Sequence, residues 1–170
     1  FEKINRQTKK KVSEVFPKFS LFVYGGVNFE PYRSVFKNLI GKQVDTIEFF
    51  PASEGFFAYQ DQQNQEGLLL LLNNGIFYEF IPVDEFGSEN PARYSLAEVK
   101  EGVNYVLILS TTAGLWGYNI GDTVSFVSTK PYRLLVTGRV KHFISAFGEH
   151  VIGKEVETAM KAATAGTAIR

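Results

Sequence analysis

The chain has 170 residues, 45% of them apolar, which is an ordinary size for one domain and enough to bury a substantial core. Its 18 Lys and Arg balance its 18 Asp and Glu, so nothing electrostatic favours a nucleic acid or an anionic membrane as partner. Cysteine is absent and His142 and His150 are the only imidazoles, which removes disulfides and thiolate metal sites and argues against a zinc centre.

The chain opens on "FEKINRQTKK", a charged leader unlike a secretion signal and without an initiator methionine. It stops at "KAATAGTAIR", just after a helical pattern begins, and both ends are those expected of a piece cut from a larger protein. "FSLFVYGG" is an apolar, strand-like run ending on two glycines. In "FEPYRSVFKNLIG", Phe29, Tyr32, Val35, Phe36, Leu39 and Ile40 recur at near-helical spacing, with Gly41 as the stop. "VDTIEFFPASEG" predicts a second short strand followed by a loop. A strand, helix, strand unit favours a parallel sheet with ligands at the carboxyl ends of its strands.

From Gly67 the character changes, which divides the chain into an α/β part over 1–66 and a β-rich part over 67–140. "GLLLLLNNGIFYEFIPV" reads as two β-rich runs around a hairpin turn at Asn73, Asn74 and Gly75. Its apolar core, Gly67 to Leu72, is far shorter than the roughly 20 residues that cross a bilayer. A soluble, cytoplasmic protein with no membrane partner is expected. "YSLAEVKEG" is turn-like and "NYVLILSTTAG" is a long strand. "DTVSFVST" alternates, with Val124, Phe126 and Ser128 on one face and Thr123, Ser125 and Val127 on the other. "YRLLVTGR" and "HFISAFG" are further β-rich segments, and a helix is expected over "GKEVETAMKAA". The fold class is therefore α/β, then mostly antiparallel sheet or a partial barrel.

Three loops carry residue types suited to chemistry. In "VYGGVNFEP", paired glycines let the backbone approach a flat or anionic ligand, since no Cβ intervenes; the same residues also suit a tight strand-to-helix turn. In "FFPASEG", Ser53 and Glu54 suit a phosphate oxygen and Mg²⁺, and Phe50 suits stacking on a base; a solvated glutamate and a core phenylalanine are the plainer reading. In "GLWGYNIGD", Gly114, Gly117 and Gly121 relax the backbone while Leu115, Trp116 and Tyr118 are expected to anchor the loop by burial, so that Asp122 is held still. A fixed carboxylate can accept two hydrogen bonds from a sugar diol. Arg139, in the glycine-led turn "TGRVKHFIS", is a second polar group for the same diol.

Taken together, "YGGVNFEPYR", "FFPASEGFFA", "FYEFIPVDEF", "AGLWGYNIGDTVSF" and "TGRVKHFISAFGEHV" resemble, in order, segments of the auxin-responsive (Gretchen Hagen type) acyl acid amido synthetases and their bacterial relatives, within the adenylate-forming superfamily. The resemblance covers most of residues 16 to 157. It implies part of the large amino-terminal domain of such an enzyme, with 141–170 as a hinge and the start of its carboxyl-terminal domain. It implies ATP and Mg²⁺ as cofactors, with a small carboxylic acid and an amine such as an amino acid as substrates. By position, Gly25, Gly26 and Val27 would line the adenine side, with Phe50 where the family has a tyrosine beneath the base. Glu54 would face Mg²⁺ and the phosphates beside Ser53, Asp122 would bind the ribose with Arg139 assisting, and Lys141 would fall at the hinge. Glu54 and Lys141 are thus the expected catalytic residues. Relatives carry an arginine within "GLYRY" where this chain has Gly117, and the family's phosphate-gripping loop lies upstream of these residues. A coenzyme A ligase of the same superfamily and a non-catalytic β-rich interaction domain, favoured by exposed Phe56 and Phe57, are the alternatives.

Overall fold

The computed structural model describes residues 1–26, 29–140, 144–146, 149–151, 158–159 and 162–163. The chain forms two compact units, Phe1–Leu68 and Leu69–Arg170.

In the first unit the charged leader is helical, as α1 (Glu2–Thr8) and α2 (Val12–Val15), where the sequence alone suggested only a basic tail. Strand β1 (Leu21–Gly25) leads through a short 3-10 turn at Glu30–Tyr32 into α3 (Arg33–Ile40), then into β2 (Asp45–Ala52). β1 and β2 are parallel, running in register from Leu21↔Asp45 to Gly25↔Phe49, so the expected strand, helix, strand unit is present. Val35, Phe36, Leu39 and Ile40 form the inward stripe of α3, and Phe36 meets Phe22 of β1 with ring centroids 4.4 Å apart. Tyr32, assigned to that stripe by spacing, is instead exposed, because it belongs to the 3-10 turn, whose period differs from that of the helix. Gly41 ends α3 in the left-handed conformation, its N–H bonded to Lys37 O, as the glycine stop predicts.

The loop expected after β2 is a two-residue turn. Ser53 and Glu54 connect β2 directly to antiparallel β3 (Gly55–Tyr59), with Ala52↔Gly55 as the last rung. A bulge follows at once: Pro51 pairs with Phe56 and Phe50 with Ala58, so Phe57 is the extra residue. Bulging breaks the alternation of faces. Phe57 and Ala58 are accordingly both buried, and Phe57 is not the exposed aromatic expected of an interaction surface.

In the second unit, β5 (Ile76–Pro82), β6 (Asn104–Thr111), β7 (Tyr118–Thr129) and β8 (Tyr132–Arg139) form an antiparallel meander. Short β4 (Leu68–Leu70) precedes it. The turn at Asn73–Gly75 is present, with Gly75 at φ 78°, but it does not close a hairpin: β5 pairs with β6, whereas β4 is placed beside β8. One core cluster joins Ile81, Val106 and Ile108 with Val83, Phe86 and Val140. On the other side Phe80 lies edge-on to Phe126, centroids 5.1 Å apart, amid buried Leu107, Leu109, Val124 and Leu134. β9 (Ile144–Ala146) and β10 (Glu149–Val151) form a separate antiparallel pair. Most of the helix expected over "GKEVETAMKAA" lies outside the described residues, which include helical backbone at 158–159 and 162–163.

The paired glycines of β1 have distinct structural needs. A Cβ on Gly25 would stand 2.6 Å from Phe49 O and 3.2 Å from Pro51 Cδ, both fixed parts of the neighbouring strand, whereas Gly26 faces open space but adopts φ +77°. Gly25→Ala should therefore lower the unfolding free energy by about 2–3 kcal/mol through overpacking, and Gly26→Ala by about 1–2 kcal/mol through backbone strain. Urea titrations of the two variants check this, and the reverse ranking contradicts the close approach of β1 to β2.

Candidate functional site

In the first unit the candidate residues gather at one edge. β1 and β2 are parallel, so Gly25 and Gly26 at the end of β1 lie on the same side as the end of β2 and its Ser53–Glu54 turn. Carboxyl ends of parallel strands are the usual ligand-facing edge of such a sheet. Ser53 is exposed and Glu54 half-buried at the tip of the turn. Phe50 is different: it is 6% exposed, with its ring edge-to-face against Phe57, centroids 5.1 Å apart. A stacked base needs an open ring face, and Phe50 has the surroundings of a core residue. Val27 and Lys141 lie outside the described residues.

Among the described residues there is no group of three or more His, Asp or Glu that would form a protein cage for a metal. Mg²⁺ is commonly held by one or two carboxylates with substrate phosphates completing the shell. A single carboxylate such as Glu54, on a half-exposed turn, has the chemistry for that mode.

The second unit joins two of the candidates directly. Asp122 of β7 and Arg139 of β8 are paired across the ladder, and Arg139 Nε donates to Asp122 Oδ1 at 2.6 Å. The carboxylate side chain is 12% exposed and the guanidinium 58%, so the acid is recessed and its partner reaches it from the solvent side. Two irregularities create this recess. Against β6, Leu107 alone faces Ile120, Gly121 and Asp122, between the rungs Val106↔Thr123 and Ile108↔Asn119. Against β8, Thr137 is the extra residue between Thr123↔Gly138 and Val124↔Val136. Such bulges re-aim side chains and recur beside active sites.

The loop before Asp122 is not anchored as expected. Trp116 is 84% exposed and Tyr118 is exposed as well, so burial of large aromatics does not hold it. Hydrogen bonds do. Thr111 N–H donates to Leu115 O at 2.9 Å, Gly117 N–H donates to Ser110 Oγ at 2.9 Å, and Gly121 N–H donates to Asn119 Oδ1 at 2.8 Å. Gly114, Gly117 and Gly121 all have positive φ, which explains the spacing of glycines that the sequence displays. Gly117 also leaves room for Arg93, whose Nη1 lies 3.2 Å from where a Cβ would stand and 3.5 Å from Glu79 Oε2.

One set of polar residues beneath Asp122 is not foreshadowed by the sequence. Thr123, expected on the face opposite Val124, is fully buried along with it, because the bulge places Asp122, Thr123 and Val124 consecutively inside. The Thr137 hydroxyl lies 2.8 Å from Thr123 Oγ1 and 2.6 Å from Asn104 Oδ1. Having one proton, it donates to the amide oxygen and accepts from Thr123. The signal in the sequence is faint: hydroxyls within β-rich runs look like ordinary strand residues.

This fold, strands with few helices, is shared by parts of two solved enzymes. A solved acyl acid amido synthetase, GH3.15, superposes with TM-score 0.71 at 18% identity, covering 95% of this chain and 30% of that one. Coronafacic acid ligase from Pectobacterium brasiliense gives 0.51 at 17%, covering 95% of this chain and 32% of that one. In sequence, residues 69–139 match the family model for the GH3 family central domain. The jasmonoyl–L-amino acid synthetase JAR4 of Nicotiana attenuata is 29% identical over 119 residues, 66% of this chain and 20% of that protein. The chain thus resembles GH3 proteins in sequence over part of its length and shares the fold of a solved member. It spans about a fifth of the length of that curated relative and about 30% of that of the solved synthetase.

Trp116 is the single tryptophan, so the exposed loop can be read optically. Expressed as these 170 residues, the protein should emit close to free tryptophan in water and be quenched by acrylamide nearly as readily. A blue-shifted, protected emission would show the loop to be folded differently.

Proposed function

We propose that this chain is a segment of an ATP-dependent acyl acid amido synthetase, and that Asp122 binds the ribose hydroxyls of the nucleotide. The observation that carries the reading is the recessed Asp122–Arg139 pair on the doubly bulged rung that ends "GLWGYNIGD". A carboxylate offers about four lone-pair positions. The bond from Arg139 occupies one and fixes the orientation of the group, so a vicinal diol would meet an acceptor already in place. Such pre-set polar groups cost no rearrangement at the moment of binding.

In the proposed reaction, an oxygen of a carboxylic acid attacks the α-phosphorus of ATP. The bond to the β-phosphate oxygen breaks and pyrophosphate leaves, giving an acyl adenylate. An amine nitrogen then attacks the acyl carbonyl, the acyl–oxygen bond to AMP breaks, and the amine loses a proton as the amide forms. Glu54, with Ser53 beside it, is the group we assign to Mg²⁺ and the phosphates; the ion would supply charge neutralisation there. Gly25, Gly26 and Val27 are assigned to the adenine side and Lys141 to the hinge. Phe50 is not carried forward as a stacking residue, because its ring packs in the core.

The intact polypeptide should release pyrophosphate from ATP only when a suitable carboxylic acid is present. Asp122→Ala in that polypeptide should weaken ATP binding by about 1.5–3 kcal/mol, the range for hydrogen bonds to charged groups, or roughly 10- to 150-fold in Kd. Unchanged affinity, measured by calorimetry on a variant that keeps its melting temperature, rules out the ribose role. Glu54→Gln should instead reduce pyrophosphate release with ATP affinity less affected. Hydroxamate formation compared with thioester formation in the presence of coenzyme A separates amide synthesis from a ligase acting on a thiol.

A further inference from the structure

A buried hydroxyl relay adjoins the Asp122–Arg139 pair along both strands and touches both irregularities that bring the pair together. Thr137 is the extra residue of the β8 bulge, and Arg139 stands two residues beyond it. Thr123 is the first regular residue after the β7 bulge, and Asp122 precedes it directly. Their hydroxyls are 2.8 Å apart, and the chain of bonds ends on Asn104 of β6, so three adjacent strands are tied at one level. Both threonines are buried, Thr123 fully.

A bulge of one residue has a competitor in which the ladder slips by one and every side chain changes face. Slippage here would bury Gly138 opposite Val124 and turn Thr137 away from Thr123, stranding two hydroxyls without partners. An unpartnered buried hydroxyl is costly. The relay therefore favours the register in which Asp122 and Arg139 share a rung. We propose that Thr123, Thr137 and Asn104 are positioning residues for nucleotide binding: they touch no ligand, and they lock the two bulges so that carboxylate and guanidinium are presented together. This rests on the ribose role of Asp122.

The test uses the intact polypeptide, assayed for acid-dependent pyrophosphate release, with Thr137→Val, Thr137→Ser and Asp122→Ala compared. Valine keeps the volume of threonine and removes the hydroxyl, while serine keeps the hydroxyl and removes a methyl. The expected result is that Thr137→Val raises KM for ATP about five-fold, the worth of one ordinary hydrogen bond, with kcat changed by less than about two-fold. Thr137→Ser should restore KM. A packing role would reverse the order, with serine worse than valine, and would overturn the proposal. So would an unchanged KM in Thr137→Val while Asp122→Ala weakens ATP binding. If Asp122→Ala itself leaves ATP affinity unchanged, the ribose reading falls and the relay's role falls with it. Should Thr137→Val fail to fold, the pair Thr123→Val and Thr123→Ser is judged by the same criteria.

Discussion

Register is the constraint on which the second unit depends. A strand presents alternate residues to opposite faces, and an unbroken β7 would show Asp122 and Val124 on one side and Thr123 on the other. The two bulges cancel that rule over a few residues, so that acid, hydroxyl and valine are buried in succession. Glycine at 121, with φ 84°, makes the first bulge accessible to the backbone. The outcome is a recessed carboxylate met by a guanidinium from the solvent side. A carboxylate on a regular rung of an antiparallel sheet faces either the core or open water.

The parts of the fold that were legible in the sequence are local ones. Alternating and helical spacings located β1, α3, β2, β6 and β8, and Gly41 stopped α3, because each is decided by neighbours within a few positions. The family resemblance was legible for the same reason, since its segments are short and ordered. The errors have a common origin in pairing between distant positions. Exposure of Phe57 was the mark of the rival interaction surface, Thr123 was assigned to the face opposite Val124, and Asn73–Gly75 was expected to close a hairpin. All three depend on which residue stands across the ladder, and on where a bulge shifts it. Periodicity contains no information about a partner strand that lies elsewhere in the chain.

Glycine shows the same division between local and distant causes. Gly26 and Gly41 are needed for their own φ, which a turn pattern can suggest. Gly25 is needed because Phe49 O passes 2.6 Å from where its Cβ would be. A pair of glycines at the end of a strand thus looks like a ligand cradle, yet one member is already explained by contact between strands. That structural requirement and a binding role are compatible: a backbone drawn close to its neighbour and ending at the carboxyl edge of a parallel pair is bare on the side where a flat ligand would lie.

Gly117 carries this reasoning one step further. Read along the chain, it stands where the family that the sequence resembles carries the arginine of "GLYRY", and position 117 itself brings no charge to the turn. In space, the guanidinium of Arg93 stands over that glycine, ion-paired to Glu79 of β5 at 3.5 Å. A Cβ at 117 would stand 3.2 Å from Arg93 Nη1 and make the guanidinium give by a few tenths of an ångström, whereas glycine admits it as it stands. The turn therefore keeps a guanidinium at its surface, supplied from a different part of the sheet and restrained by a carboxylate. A motif is a statement about order in sequence, while the field around a loop depends on which charges arrive there. Losing the letter at 117 does not strip the turn of positive charge.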